Sequence, residues 1–225
     1  MCIRGKKNKT MKTSKIIISL CIYSLLLVVF RVYFTKSVFY LFMVWNLFLA
    51  IIPYVISNHL KQLNNKYLIF ILFPVWLIFL PNAAYIITDL VHLHQGTLMP
   101  IWFDLLLILS FSITGMLLFF ISLNDVFLLI KHHFSIKIAW FLTVFVLFLS
   151  SFGIYLGRYL RWNSWDIMHR PQLLLNDVFT RIIHPTHHPK TWGITFGFGF
   201  LFLLGFIGFK YIYERKFAHQ KLKAA

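Results

Sequence analysis

The sequence predicts an all-α protein whose helices cross a membrane about six times. Hydrophobic residues make up 60% of the 225-residue chain and charged residues only 12%, about half the charged share that is usual in a soluble domain. The apolar residues occur in long unbroken runs and not in alternation, which favours spanning helices over the strands of a transmembrane barrel. We therefore predict a polytopic helix bundle.

Six apolar runs are each about as long as the 20 residues that a spanning helix needs. Polar and mostly short segments separate them, so residues 16–213 are predicted to form one transmembrane domain, with basic tails at 1–15 and 214–225. The predicted spans are Ile16–Phe34, Val38–Ser57, Tyr67–Ile87, Ile101–Leu123, Ile138–Leu156 and Gly193–Ile212.

The distribution of positive charge predicts the orientation of the spans. If the N-terminal tail is cytoplasmic, the cytoplasmic segments hold 15 of the 22 Lys and Arg residues and the outer segments hold seven. Cytoplasmic segments of membrane proteins are enriched in Lys and Arg, so both tails are predicted to be cytoplasmic. The net charge of +16 is then explained by orientation and by contact with anionic lipids, and nucleic acid is not a predicted partner.

The last predicted outer loop, between Arg158 and Trp192, contains an amphipathic pattern. Its apolar residues recur at the spacing of a helix face, with polar residues on the other side, which predicts a short helix on the membrane surface. The apolar positions are Leu175, Val178, Phe179, Ile182 and Ile183.

The last span is rich in glycine. Gly193 and Gly197 form a GxxxG pair, and Gly199, Gly205 and Gly208 follow. Small residues allow helices to approach closely in a membrane, so this span is predicted to pack tightly and could also dock a membrane-protein partner.

A polar stripe follows Pro81. On a helix, Asn82, Tyr85, Asp89 and His92 would share one face, and such a stripe must face protein or water because exposing it to lipid is costly. Two interpretations are open, a structural hydrogen-bond network between helices and a ligand or catalytic site. Pro81 also predicts a break in the span, of the kind that transporters use.

A second polar stretch follows the fifth span. Arg158 and Arg161 are three residues apart, hence neighbours on a helix end, and the planar guanidinium group suits phosphate or carboxylate. They could anchor the protein at the interface or pair with acidic side chains. Because both stretches lie on the same predicted outer side, we expect Arg158 or Arg161 within about 4 Å of a carboxylate, beside a polar cavity that opens outward. The candidate acids are Asp89, Asp104 and Asp166.

Cofactor and metal motifs are weak in this sequence. His92 and His94 form an HxH pair, but the spacing of nearby acids is too loose to predict a metal site. The chain has no HExxH, GxSxG or P-loop motif, so no cofactor is indicated.

At these two stretches the chain resembles a bacterial membrane-protein family of unknown function, the domain of unknown function numbered 1361 (DUF1361). The resemblance spans about residues 40–210, and it departs from the family pattern at Ala84, where the family usually has proline. It implies a polytopic protein of the bacterial cytoplasmic membrane and implies no activity. The matching residues are Leu80-Pro81-Asn82, Tyr85, Thr88-Asp89-Leu90, His92-Leu93, Trp102, Asp104, Gly157-Arg158 and Arg161 to Asp166.

The leading functional hypothesis is a site at the extracytoplasmic membrane face that binds an anionic lipid head group or a phosphorylated lipid carrier, with or without catalysis. Arg158 and Arg161 would bind the anion, and Asp89 and His92 are the candidate acid and base. The alternatives are a small transporter or channel component and a non-catalytic subunit of a membrane complex. The residues that would orient the site are Asn82, Tyr85, Thr88, Asp104, Trp162, Asn163, Trp165 and Asp166.

Overall fold

The computed structural model describes residues 2–63, 66–94 and 98–222. Within these residues the chain forms α-helices and short 3-10 helices and no strand. The α-helices are α1 (Cys2–Thr35), α2 (Phe42–Leu60), α3 (Lys66–Tyr85), α4 (Ile101–His133), α5 (Ile136–Tyr159), α6 (Asp166–His169), α7 (Pro171–Ile183) and α8 (Pro189–Leu222). The 3-10 segments are Phe39–Leu41, Ile86–His94 and Pro185–His187.

Six helical segments of the described residues are long and apolar enough to cross a membrane. This confirms the all-α polytopic bundle. The largest difference from the predicted spans is in α4, which continues past Leu123 to His133. The polar residues Asn124 and Asp125 do not end this helix, because both are buried and Asp125 forms an ion pair with Lys61 at 2.7 Å.

The spans alternate in direction, so the connections after α1, α3 and α5 lie at one end of the bundle. We call this the motif end, because it holds residues 86–94 and 158–166, which carry the two polar stretches. The opposite end holds the start of α1 and the end of α8 and is called the tail end.

Helix α4 is the centre of the bundle. It packs against α1, α2, α3, α5 and the 3-10 segment 86–94. In its most apolar stretch 61% of the residues are buried, whereas the corresponding share is 22% in α1 and in α8. A Cβ atom on Gly115 would lie only 2.5 Å from the carbonyl oxygen of Ala83. This close approach fixes the end of α3 against α4.

The predicted break at Pro81 is wrong, because α3 continues through Pro74 and Pro81 to Tyr85. The backbone tightens only from Ile86, where the 3-10 segment begins. A proline in a helix removes one N–H donor from the preceding turn. The carbonyl oxygen that loses its donor at Pro81 is that of Leu77, and the next two, of Ile78 and Phe79, accept hydrogen bonds from the side chains of Ser164 and Asn82.

The predicted amphipathic helix of the last loop is confirmed as α7, with its faces in an unexpected orientation. Arg181 on the polar side is buried and donates to Asp177 at 3.1 Å. The apolar residues Phe179, Ile182 and Ile183 are exposed. Asp177 and Arg181 of the polar side therefore face the protein, beside Leu174 and Val178. The exposed apolar residues suit the acyl-chain boundary of a bilayer.

The glycines of α8 divide into two groups. A Cβ atom on Gly199 or Gly205 would lie 2.5 Å from the Phe148 ring or 2.7 Å from the Phe120 ring, respectively. Close packing in this span therefore depends on these two glycines. Gly193, Gly197 and Gly208 have open space around the position of a Cβ atom, so the GxxxG pair does not pack within the described bundle.

Candidate functional site

The two polar stretches meet at Arg158, in the last turn of α5. Its Nη1 donates to Asp89 Oδ1 at 3.3 Å and to the Tyr85 hydroxyl at 3.2 Å, and its Nη2 donates to the Thr88 carbonyl oxygen at 2.7 Å. The predicted contact between a motif arginine and a motif carboxylate is therefore present. It joins the end of α5 to the end of α3.

Asp89 is buried, with 1% of its side chain exposed. Its second oxygen accepts a hydrogen bond from Asn46 Nδ2 at 2.9 Å, so three elements of the bundle contribute to one polar cluster. The sequence reasoning missed Asn46. Asn46 is an isolated amide within the apolar run of α2. This could have indicated a buried role, because polar groups at that depth need a partner inside the protein.

A second contact between the stretches involves Asn82 and Ser164. Asn82 Nδ2 donates to Ser164 Oγ at 2.9 Å, and Ser164 Oγ donates to the Ile78 carbonyl oxygen at 3.1 Å. The loop after α5 thereby bonds to the helical turn that Pro81 weakens. Ser164 was missed as a site residue, although it lies within the second stretch.

Two glycines of α5 allow α3 to approach closely enough for these contacts. A Cβ atom on Gly153 would lie 2.9 Å from the Pro81 ring, and one on Gly157 would lie 3.3 Å from the Tyr85 ring. These glycines form a GxxxG pair that the sequence reasoning overlooked. It is the spacing at which small residues bring membrane helices together.

Asp104 belongs to a different ion pair. Its carboxylate accepts from Arg31 Nε at 2.6 Å and from Nη2 at 3.1 Å, and both side chains are 1% exposed. The Tyr40 ring lies 4.2 Å from the Arg31 guanidinium carbon, and the Tyr40 hydroxyl donates to the His92 carbonyl oxygen. Asp104 therefore pairs with a helix α1 residue and not with Arg158 or Arg161.

His92 lies in the 3-10 segment, three residues after Asp89. Its ring packs against the rings of Phe42 and Phe39, with centroid distances of 5.3 and 6.2 Å. The 3-10 geometry from Ile86 onward changes the angle between successive side chains. The side chains after Ile86 therefore do not keep the single face that was predicted for a continuous α-helix.

Arg161 does not join Arg158 on the helix. Helix α5 ends at Tyr159, and Arg161 takes a left-handed backbone conformation with φ of 59°. The amides of Leu160 and Trp162 both donate to the Leu156 carbonyl oxygen, which turns the chain and leaves Arg161 exposed.

The remaining residues of the second stretch stabilise the loop. Trp162 Nε1 donates to Asp177 Oδ2 at 2.8 Å, and Asp166 Oδ2 accepts from the Asn163 amide at 2.7 Å. The rings of Trp165 and Trp45 pack edge to face with a centroid distance of 6.3 Å.

A cavity of about 620 Å³ lies beside this cluster, between α2, α3, α5 and the α6–α7 segment. Most of its lining is apolar, so it is not the polar cavity that the sequence predicted. Asp89 and Arg158 contact it indirectly, through Asn46 and Tyr85. The polar lining residues are Asn46, Asn82, Tyr85, Asn163 and Ser164.

Within residues 2–63, 66–94 and 98–222, no group of three or more His, Cys, Asp and Glu side chains is arranged to hold a metal ion. The side chain of His94 lies outside the described residues. The arrangement that the structure offers at the motif end is therefore an apolar cavity with amide and hydroxyl groups, supported by a buried ion pair.

Comparison with known proteins identifies a family. A family model described as "Protein of unknown function (DUF1361)" matches residues 45–204, which include the Arg158 cluster, the cavity and α7. No curated protein and no solved structure matches the chain. Because the family model covers more than half of the chain, this polytopic membrane protein belongs to the DUF1361 family.

Proposed function

We propose that this protein binds a membrane lipid in the cavity between α2, α3 and α5. The lipid chain would occupy the apolar part, and the head group would lie at the motif end. The observation that carries the proposal is the polarity of the lining, which is apolar at depth and polar towards the motif end. Mainly apolar pockets with a few convergent polar groups are typical of small-molecule and lipid sites.

The direction of this polarity follows from the helices. Lining residues run from Leu77 to Tyr85 on α3 and from Leu149 to Gly157 on α5, which is about 12 Å of helix in each case. On α3 the polar residues come last, towards the motif end. A cavity of this depth accommodates part of an extended chain and holds a head group near the membrane interface.

The buried ion pair gives the polar part of the cavity a fixed shape. Asn46 and Tyr85 line the cavity, and each is hydrogen bonded to a member of the Asp89–Arg158 pair. In this proposal Asp89 and Arg158 are positioning residues, because a bound lipid would touch Asn46 and Tyr85 first. Lipid binding therefore accounts for the arrangement of these four residues, and no catalytic step is needed to explain it.

Helix α7 supports the proposal from the membrane side. Leu174, Leu175 and Val178 form part of the cavity lining, while Phe179 and Ile182 are exposed. A helix that contacts both the cavity and the acyl-chain boundary would let a lipid enter from the bilayer. We place the motif end outside the cytoplasm on the distribution of Lys and Arg.

The transporter hypothesis has less support. It requires polar groups that face a path through the membrane, and α4 does carry buried hydroxyls. Those of Ser110, Ser112 and Ser122 donate to backbone carbonyl oxygens of Leu107, Ile86 and Pro53. Such bonds indicate a role in helix packing.

The proposal is tested by filling the cavity. Leu149 lines it, so we expect Leu149→Trp to weaken binding of dioctanoyl phosphatidic acid about tenfold, which corresponds to an overpacking cost of about 1.4 kcal/mol. Binding is measured by native mass spectrometry of the detergent-purified protein.

The matched control is Phe141→Trp, on the same helix and 72% exposed, which should bind like the unchanged protein. Equal binding by all three proteins, or no binding by the unchanged protein, would refute a lipid site in this cavity.

A further inference from the structure

A second, polar cavity of about 490 Å³ adjoins the first at the motif end. Trp162 is the residue that the linings of the two cavities share, and its indole Nε1 donates to Asp177 of the polar cavity. The polar cavity is lined by two arginines, Arg161 and Arg170, and by two carboxylates, Asp166 and Asp177.

The two carboxylates already have partners that maintain the fold. Asp177 accepts hydrogen bonds from Trp162 Nε1 at 2.8 Å and from Arg181 Nη1 at 3.1 Å. Asp166 accepts from the Asn163 amide at 2.7 Å. The two carboxylates therefore stabilise the α6–α7 segment, in which Asp177 balances the buried charge of Arg181.

The two arginines differ in this respect from the carboxylates. Both are exposed, and in the described part of the chain neither guanidinium group has a hydrogen bond or an ion pair. Arg161 also holds a left-handed backbone, with φ of 59°, at a helix end where glycine is usual. A non-glycine residue is uncommon in this conformation, and backbone strain of this kind clusters at functional sites.

Arg158 differs from both, because its guanidinium group contacts Asp89, Tyr85 and Thr88. It balances a buried carboxylate, so its charge is not available to a ligand without loss of that pair. The two arginines that line the polar cavity are therefore Arg161 and Arg170, whereas the sequence had indicated Arg158 and Arg161 as the candidate anion-binding pair.

We infer that Arg161 and Arg170 bind the phosphate group of the lipid whose chain occupies the apolar cavity. The inference rests on the proposed function and names the head-group class. Guanidinium groups bind phosphate oxygens with paired, charge-assisted hydrogen bonds. Trp162, which lines both cavities, would then lie near the polarity boundary of the bound lipid, where tryptophan is favoured in membranes.

The experiment compares two lipids that differ only in the phosphate, dioctanoyl phosphatidic acid and dioctanoylglycerol. Affinities are measured by native mass spectrometry of the full-length protein in detergent. We expect the unchanged protein to prefer the phosphatidic acid at least tenfold, and the double variant Arg161→Gln/Arg170→Gln to lose this preference while it still binds dioctanoylglycerol. Lys190→Gln removes an exposed positive charge at the same end, outside both cavities, and should keep the preference.

Each contrary outcome has a distinct meaning. If the double variant keeps the preference, or Lys190→Gln reduces it equally, the arginine site is refuted while the lipid cavity stands. If inorganic phosphate alone binds to the unchanged protein as tightly as the phosphatidic acid, the ligand is free phosphate and the inference of a lipid phosphate is refuted. If neither lipid binds to the unchanged protein, the proposed function itself fails.

Discussion

Asp89 and Arg158 form an ion pair between segments that lie 69 residues apart in the chain. Asp89 is 1% exposed and Arg158 is 16% exposed, so the pair is largely shielded from water. Removing one partner of such a pair leaves the other charge without compensation, which costs more than the pair itself contributes. The coupling between the two residues is therefore measurable.

We expect Asp89→Asn to destabilise the protein by about 3 kcal/mol, because it leaves the Arg158 charge without its carboxylate. Arg158→Met should have a similar cost, and the double variant should cost clearly less than the sum of the two. The measurement is thermal unfolding of the detergent-purified protein, analysed as a double-mutant cycle. Glu214→Gln is the control, because Glu214 is 67% exposed in its pair with Lys210, and we expect it to leave the melting temperature unchanged. Additive costs would contradict the coupling.

Contacts between single residues were predictable where both residues lie in the two polar stretches. Charge and membrane depth were enough to predict that Arg158 or Arg161 would meet a carboxylate at the motif end. The partner of Asp104 was not predictable in this way, because Arg31 had been counted as an outer-segment residue. In the structure Arg31 lies in α1 and is 1% exposed. A cation within an apolar run is itself a signal of a buried partner, and that signal was overlooked.

The helices themselves were predictable from the length of the apolar runs, and their ends were not. Polar residues at Asn124 and Asp125 indicate the end of a span, yet α4 continues because other helices bury them. Pro81 indicates a break, yet the side chains of Asn82 and Ser164 bond to nearby carbonyl oxygens and α3 continues. In both cases contacts from distant parts of the chain override the local signal.

Helix packing gives a prediction at the scale of elements. A methyl group on Gly115 would lie 2.5 Å from a backbone carbonyl oxygen of α3, and a backbone atom cannot rotate away as a side chain can. We therefore expect Gly115→Ala to force α3 and α4 apart and to destabilise the protein by about 1–3 kcal/mol, seen as a lower melting temperature. Gly208→Ala is the matched control, since a Cβ atom there has nothing within 4 Å and alanine favours a helix over glycine by about 1 kcal/mol. Its melting temperature should stay the same or rise; equal loss in both variants would contradict the packing argument.

The excess of Lys and Arg at the tail end over the motif end becomes larger when residues in ion pairs are left out. The segments predicted to be outside hold seven Lys and Arg residues, and three of these, Arg31, Arg158 and Arg181, form ion pairs within the protein. Lys61 and Lys210 form ion pairs at the tail end. Four Lys and Arg residues without a described ion pair at the motif end therefore compare with 13 in the segments predicted to be cytoplasmic. The two buried pairs at the motif end, Arg31–Asp104 and Arg158–Asp89, neutralise cations that would otherwise oppose this orientation.

We therefore expect the tail end to be cytoplasmic and the motif end to face away from the cytoplasm. The test uses single cysteines at His133, the last residue of α4 at the tail end, and at His187, in the loop before α8 at the motif end. Both positions are exposed and carry no described ion pair. The native Cys2 and Cys21 are replaced by serine beforehand. In intact cells a membrane-impermeant maleimide should label His187→Cys and should label His133→Cys only after the membrane is permeabilised. The reverse pattern would place the lipid cavity, Arg161 and Arg170 on the cytoplasmic side. It would leave the contacts at the motif end unchanged but would require a ligand from the inner leaflet.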